Sequence, residues 1–350
     1  MGKEILTRTE CNALRGIAIL GIVLHNYCHW LRGIVRENEY QFFQRNVDGL
    51  HNVIQNPDWN LPVHLLSFFG HYGVPVFLFL SAYGLVCKYE RLRPIQNNTE
   101  SAHGFIWAHF KKLFMMMIPG FVAFVLVDAI TPGSHHYHLL DVVAQLGLFN
   151  NVLPDPDHII WPGPYWFFGL MLQLYIVYRL FLYRRHWGWT FALMAICTLA
   201  QLLLAPESEA LNRYRYNFMG GMLPFGLGLL YARMPMNMPR NYNWLFLIVS
   251  LMLVYSFGQT YSGWIFVPVF ICSAGFTIVK ILPSVLLHAC EWMGGISAAL
   301  FVCHPIIRKI IIPISHHGDV YAGLLLYIVS AIVVAVIWKR VESFKLKDER

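Results

Sequence analysis

Leu14-Arg15-Gly16-Ile17-Ala18-Ile19-Leu20-Gly21-Ile22-Val23-Leu24-His25 sets nine uncharged positions between an arginine and a histidine. The apolar run around it reads as a helix over 11–31, long enough at about 1.5 Å per residue to cross a hydrocarbon core of about 30 Å. One such run also occurs in large soluble cores, so the rest of the chain decides. Of the 350 residues, 57% are hydrophobic and only 13% charged, about half the charge of an ordinary soluble domain. A water-soluble fold could not cover itself with so few polar groups. The 11 Trp and 18 Tyr suit membrane–water interfaces, where amphipathic rings collect. The fold class is therefore all-α, a polytopic membrane helix bundle.

Runs of about 17–25 mainly apolar residues fall at 11–31, 63–87, 108–130, 164–183, 188–205, 214–232, 243–258, 262–281, 289–312 and 320–338. Ten transmembrane helices put both termini on one side. The basic residues, which are retained in cytoplasmic loops, agree with that count. Lys3 and Arg8 precede the first span, Lys88, Arg91 and Arg93 follow the second, and Lys111 and Lys112 stand at the start of the third. Arg184, Arg185, Arg233, Arg240 and Lys280 follow the fourth, sixth and eighth, and Lys339, Arg340, Lys345, Lys347 and Arg350 form the tail. Both termini are expected in the cytoplasm. The opposite loops, 32–62, 131–163, 206–213, 259–261 and 313–319, are rich in His, Asn, Asp and Trp; Arg32, Arg36 and Arg45 share theirs with Glu37, Glu39, Asp48 and Asp58. The stretch 139–153 is too short to span and reads as interfacial or re-entrant, an eleventh span being the competing reading. No repeat or soluble domain interrupts residues 1–350, which read as one membrane domain.

The formal charge of +7 clusters beside apolar runs and forms no extended basic face, so nucleic acid is not an expected partner. The seven cysteines show no paired spacing and read as packing residues. No cleavable leader is read at the N-terminus.

Ionisable groups inside spans are costly and are examined first for function. Arg15 and His25, about 15 Å apart along a helix, offer a guanidinium for phosphate and an imidazole that can move a proton. The alternative is a snorkelling arginine and a packing histidine. His304 and Arg308 share a helical face in the outer half of the ninth span, where Pro305 frees a carbonyl one turn earlier; a simple kink is the alternative. Ser81 and Tyr83 lie near the inner side of the second span, where small and hydroxylated residues equally mean close helix packing. Asn150-Asn151 through Trp161-Pro162-Gly163-Pro164-Tyr165-Trp166 mixes amides and aromatic faces, as a sugar-binding surface or an aromatic belt does. His135, His136 and His138, like His316-His317, lack a thiolate or carboxylate at ligand spacing, so no metal is expected. No glycine-rich phosphate loop, GxSxG elbow or HExxH helix occurs.

From Leu14-Arg15-Gly16-Ile17-Ala18 to His25 the chain resembles the opening of the acyltransferase-3 family of bacterial integral-membrane acyltransferases. The resemblance continues in order through Phe77-Leu78-Phe79-Leu80-Ser81-Ala82-Tyr83, Tyr165-Trp166-Phe167-Phe168 and Leu223-Pro224-Phe225-Gly226-Leu227-Gly228. It ends with Gly295-Ile296-Ser297 and Phe301-Val302-Cys303-His304-Pro305, then Lys339-Arg340-Val341-Glu342-Ser343-Phe344. Six loose motifs in order cover nearly the whole chain.

The resemblance implies a ten-helix O-acetyltransferase of the bacterial inner membrane. Its co-substrate would be acetyl-CoA or another acyl-CoA from the cytoplasm. Its acceptor would be a glycan or lipid-linked saccharide on the far side, with membrane lipid around it and a homo-oligomer allowed. His25 and His304 then become catalytic candidates, and Arg15, Lys111, Lys112, Ser81 and Tyr83 coenzyme-binding ones. Asn150, Trp161, Tyr165, Trp166 and Arg308 become candidates for the acceptor.

Three departures from the family pattern stand out. The Arg15–His25 offset is ten, which on an ideal helix turns the two side chains about 80° apart; a bulge, a different pairing, or His29 on the His25 face would resolve this. Ala82 replaces the usual glycine, and no arginine stands just before Pro119. A glycan transporter without acyl transfer is the competing function, expected to show inverted repeats and broken helices. A sensory or scaffold protein would leave the intramembrane Arg and His residues without a reason.

Overall fold

The computed structural model describes residues 6–91, 101–234 and 240–348, with Arg240 and 342–348 described by backbone alone. Lys3, Arg93 and Arg350, counted above in the charge bias, lie outside the described residues, as do the side chains of Arg240, Glu342, Lys345 and Lys347. All regular structure among the described residues is helical. Five helical stretches are long and apolar enough to cross a membrane: Leu61–Arg91, Ala102–Ile130, Gly163–Leu182, Ser297–His317 and Val320–Val341. Three more apolar helices, Trp187–Leu202, Asn243–Phe257 and Val267–Ile281, are shorter.

The first helix, α1 (Arg8–Cys28), starts where Thr7 and Glu10 cap each other. Thr7 Oγ1 accepts from the Glu10 amide at 3.2 Å, and the Thr7 amide donates to Glu10 Oε2 at 2.8 Å. This reciprocal cap satisfies two amides that a helix start otherwise strands. The helix α2 (Gln44–Gln55) precedes α3 (Leu61–Phe69), which a single 3-10 turn at Gly70–Tyr72 joins to α4 (Gly73–Leu85). Next comes α5 (Ala102–Ile130), then short α6 (Leu139–Leu146) and α7 (Pro156–Ile159), and α8 (Trp166–Val177). The eight residues of α6 do not reach across a bilayer, and no membrane-length helix covers 139–153.

Several predicted boundaries need correction. After α9 (Trp187–Leu202), the expected span 214–232 divides into α10 (Glu209–Tyr216) and α11 (Phe218–Arg233). Asn217 between them is extended, and its side chain donates to the Arg213 carbonyl at 2.8 Å and the Asn151 carbonyl at 2.9 Å. An amide that bonds nearby backbone in this way competes with helix continuation. Past α12 (Asn243–Phe257), the expected span 262–281 is α13 (Tyr261–Trp264) followed by α14 (Val267–Ile281), which opens on Pro268. The expected span 289–312 also divides, into α15 (Ser284–Gly295) and α16 (Ser297–His317). His304 therefore lies in the first half of its helix, not in the outer half. The last helix, α17 (Val320–Asp348), outruns its predicted end at 338.

The helix α1 is the hub, packed against α15, α4, α3 and α16; α16 in turn packs on α17 and α5, and α11 on α4 and α9. Glycine makes the closest crossing. At Gly294 an added Cβ would stand 2.7 Å from the Asn12 carbonyl carbon and 3.1 Å from the Gly16 amide nitrogen. Small residues at a helix crossing let backbones touch, the usual device where lipid removes the hydrophobic drive between helices. Outward, α5 exposes Trp107, Met115, Val122, Leu126 and Ile130, and α17 exposes Leu325, Val329, Val333 and Ile337. Apolar rows this long at helical spacing are faces built for lipid rather than water. The chain is a multi-pass membrane protein.

Candidate active site

Arg15 and His25 stand nearly three turns apart on one uninterrupted helix, and each lines its own cavity. At the Arg15 end a space of about 350 Å³ is lined by Arg15, Ser81, Lys112, Tyr175 and Ser297. At the His25 end a space of about 170 Å³ is lined by His25, His29, His71, Glu39, Trp166 and Arg308. Ile22, Phe167 and Phe301 belong to the walls of both, so a thin apolar partition separates the two spaces. The ten-residue offset is thereby explained: α1 carries no bulge, and the two side chains address different chambers.

The Arg15 chamber holds cations and hydroxyls. Half-buried Arg15 donates from Nη1 to Asn12 Oδ1 at 3.1 Å. Lys112 is exposed at the rim. Ser81 Oγ and the Tyr175 hydroxyl lie 3.1 Å apart on the chamber wall. Together these can receive an anionic, hydrogen-bonding molecule. Lys111 is exposed and lines neither chamber. Tyr83 is buried, with its hydroxyl donating to the Leu6 carbonyl at 3.3 Å, and lines neither chamber.

In the other chamber the backbone sets the chemistry of His25. Its Nδ1 lies 2.6 Å from the Ser67 carbonyl oxygen. A carbonyl can only accept, so Nδ1 carries the proton and Nε2 holds the lone pair. The turn that supplies this carbonyl is pressed on α1 by Gly70, where a Cβ would come within 2.8 Å of the His25 Cβ. The same turn brings His71, its ring centroid 5.4 Å from that of His25, while His29 lies at 5.1 Å on the other side. Both ring nitrogens of buried His71 lack a hydrogen-bond partner. The chamber's loop wall carries Glu39, whose carboxyl burial pushes up to about 7, because removing a carboxylate from water disfavours its charge.

This arrangement, a guanidinium in one chamber and an imidazole in its neighbour, needs a family to give it a reaction. The sequence model of the acyltransferase-3 family, an acyltransferase domain, matches residues 8–339. The chain belongs to that family. No curated protein and no solved structure matches it.

Four of the six motifs contribute residues to the chambers. The first-span motif supplies Arg15, Ile22 and His25, the second-span motif Ser81, the segment after the outer loop Trp166 and Phe167, and the Gly295–Pro305 motif Ser297 and Phe301. His304 in that last motif is fully buried and lines neither chamber. Its Nδ1 lies 2.8 Å from the Phe301 carbonyl and 3.2 Å from that of Leu300, and Nε2 has no partner. Tyr165 is equally buried, donating to the Val302 carbonyl at 2.9 Å. Asn150 is buried and donates to Gln145 Oε1 at 2.6 Å, and Asn151 donates to the carbonyls of Trp166 at 2.9 Å and Tyr216 at 2.6 Å. Both amides brace the wall behind Trp166. Trp161 is half-buried, stacked on His135 at 5.3 Å and edge-on to Trp30 at 6.2 Å.

His71, Ser67, Tyr175 and Glu39 were not singled out from the sequence. His71 carried a usable signal, being an ionisable residue inside a predicted span. The other three had none, since a serine carbonyl, a tyrosine in an apolar helix and a loop glutamate acquire meaning only from their neighbours in space.

Proposed function

We propose that this protein transfers an acyl group, acetyl in the first instance, from cytoplasmic acyl-CoA to a hydroxyl of a glycan or lipid-linked saccharide across the bacterial inner membrane. One observation carries the reading: the Arg15 chamber and the His25 chamber share Ile22, Phe167 and Phe301 as a wall, and the Ser67 carbonyl leaves His25 a basic nitrogen. A ten-span arrangement with both termini in the cytoplasm accompanies it. Two facts support that orientation. A Cβ on Gly295, in the Arg15 chamber, would lie 3.3 Å from Lys339 Nζ, so the C-terminal part of the last helix reaches the α15–α16 junction beside that chamber. The ion pairs Arg233–Glu90 at 2.7 Å and Lys280–Glu10 at 2.8 Å join the basic helix ends that positive charge assigns to the cytoplasm.

In this mechanism Arg15 and Lys112 attract the coenzyme phosphates, and the Ser81–Tyr175 hydroxyls bond the polar arm that reaches inward. The thioester carbonyl comes to the apolar partition, and the acceptor hydroxyl approaches from the His25 chamber between Trp166 and Arg308. His25 Nε2 takes the hydroxyl proton as the oxygen attacks the carbonyl carbon. The new C–O bond forms as the C–S bond breaks, and the departing thiolate takes the proton from the imidazolium. The Ser67 carbonyl stabilises that imidazolium and keeps the tautomer correct.

Purified protein assayed with radiolabelled acetyl-CoA and acceptor tests this reading. His25→Ala is expected to lose roughly 10²–10⁴ in rate, the range of a general base, and Arg15→Ala to raise the donor KM. A folded His25→Ala protein with near-normal transfer would refute the assignment.

A further inference from the structure

We propose that the acceptor is an anionic saccharide whose carboxylate or phosphate docks on the open edge of Arg308, an inference that rests on the acyl-transfer reading above. Arg308 is only 5% exposed and lines the His25 chamber. Its hydrogen bonds all come from Nη1, to the Asn26 carbonyl at 3.3 Å and to Asn26 Oδ1 at 3.5 Å. Nε and Nη2 make none. Those two nitrogens form the side of a guanidinium that meets a carboxylate or phosphate with two parallel hydrogen bonds. Among the described residues no carboxylate lies within ion-pair distance of it. A buried charge without a counter-ion is costly, and such a group at a binding chamber is the mark of a ligand that brings the opposite charge.

The acids of the same chamber do not fill that role. Asp157 is exposed, and its oxygens accept from the Tyr216 hydroxyl at 2.6 Å and Asn212 Nδ2 at 2.7 Å. Glu39 is faced by its own cation, Arg215, which also donates to the Glu39 backbone carbonyl. The other ionisable groups on the wall are the imidazoles of His25, His29 and His71, which are bases, and the phenols of Tyr40 and Tyr216. Arg308 is left as a cation on that wall without a counter-ion among the described residues.

Position separates this role from stabilising the reacting carbonyl. Arg308 touches α1 at Asn26 and lies over the Trp30 ring at 4.7 Å, on the far side of His25 from the partition. The partition contacts α1 at Ile22, about 4.5 Å along the axis in the other direction. An anion on Arg308 thus sits with the acceptor, beside Trp30, and away from the thioester. The chamber is small, about 170 Å³, so the anion and the attacked hydroxyl belong to the same or an adjacent sugar.

The test has two arms. Mass spectrometry of surface glycans from cells with and without the gene locates the ester that disappears. It is expected on a sugar that carries, or adjoins, a carboxylate or phosphate. The glycan from deleted cells is then offered to the purified protein with acetyl-CoA, intact, after carboxyl reduction and after dephosphorylation. One of the two treatments is expected to lower kcat/KM about tenfold or more, as loss of a charged hydrogen-bond pair does, and so to identify the anion. Arg308→Gln is expected to abolish that discrimination and Arg308→Lys to retain part of it. An ester on a glycan region without either anion, or equal transfer to intact and treated acceptors, would overturn the inference while leaving acyl transfer standing. Loss of no ester at all would overturn the acyl-transfer reading and this inference with it.

Discussion

Gly294→Ala is the sharpest test of how the bundle is held together at its coenzyme chamber. The added Cβ would stand 2.7 Å from the Asn12 carbonyl carbon and 3.1 Å from the Gly16 amide nitrogen, and it would overlap the Asn12 carbonyl oxygen. Carbon–carbon contacts settle at about 3.5–4.0 Å, so α1 and α15 must part by roughly 1 Å. Neither contact atom can rotate away, because both are backbone. Overpacking of this kind costs about 1–3 kcal/mol and sometimes more. The upper part of that range is expected here. Gly294 and Arg15 line the same chamber, so the displacement should also raise the donor KM.

Gly16→Ala meets the facing backbone, its Cβ 2.9 Å from the Gly294 amide nitrogen. The double variant should therefore cost less than the sum of the singles, since one separation relieves both clashes. Thermal unfolding in detergent, with donor KM measured on the same preparations, gives both readouts. Wild-type stability and donor KM in Gly294→Ala would show that the two helices do not cross as closely as described.

Two further expectations concern buried charges. Burial pushes Glu37 up to about 8 and Glu39 up to about 7, so folding favours their protonated forms. Their contribution to stability is complete below about pH 4.5 and is lost as pH rises to about 8, the sign required when the folded state binds more protons. Glu37→Gln should flatten the fall in unfolding temperature over that interval, and an unchanged profile would contradict the burial of Glu37. Asp128 is fully buried, bonded to Lys309 at 2.8 Å, the His135 amide at 2.8 Å and the Tyr137 hydroxyl at 3.2 Å. Asp128→Asn should cost near the lower end of the roughly 3–5 kcal/mol for breaking a buried pair, since Lys309 keeps 16% exposure. A D128N/K309M double variant should recover much of that loss in the same melt, and wild-type stability of D128N alone would refute the pairing.

The sequence by itself determined that the chain is helical and lies in a membrane, and which family it belongs to. Hydrophobic run length and scarcity of charge are local quantities, set residue by residue through the cost of placing polar groups in hydrocarbon. Arg15 and His25 were visible for the same reason, as charges that apolar helices do not tolerate without purpose. The breaks at Asn217 and between Gly294 and Ser297 were not visible, because they depend on which backbone lies opposite. Only the tertiary structure decided that Arg15 and His25 serve separate chambers, that the Ser67 carbonyl leaves His25 its basic nitrogen, and that His304 faces packing instead of a cavity. It also decided that Arg308 is a buried cation without a counter-charge among the described residues. Each of these is a relation between residues far apart in the chain. Side-chain direction, hydrogen-bond partner and charge balance belong to the packed state alone, and no window of sequence contains them.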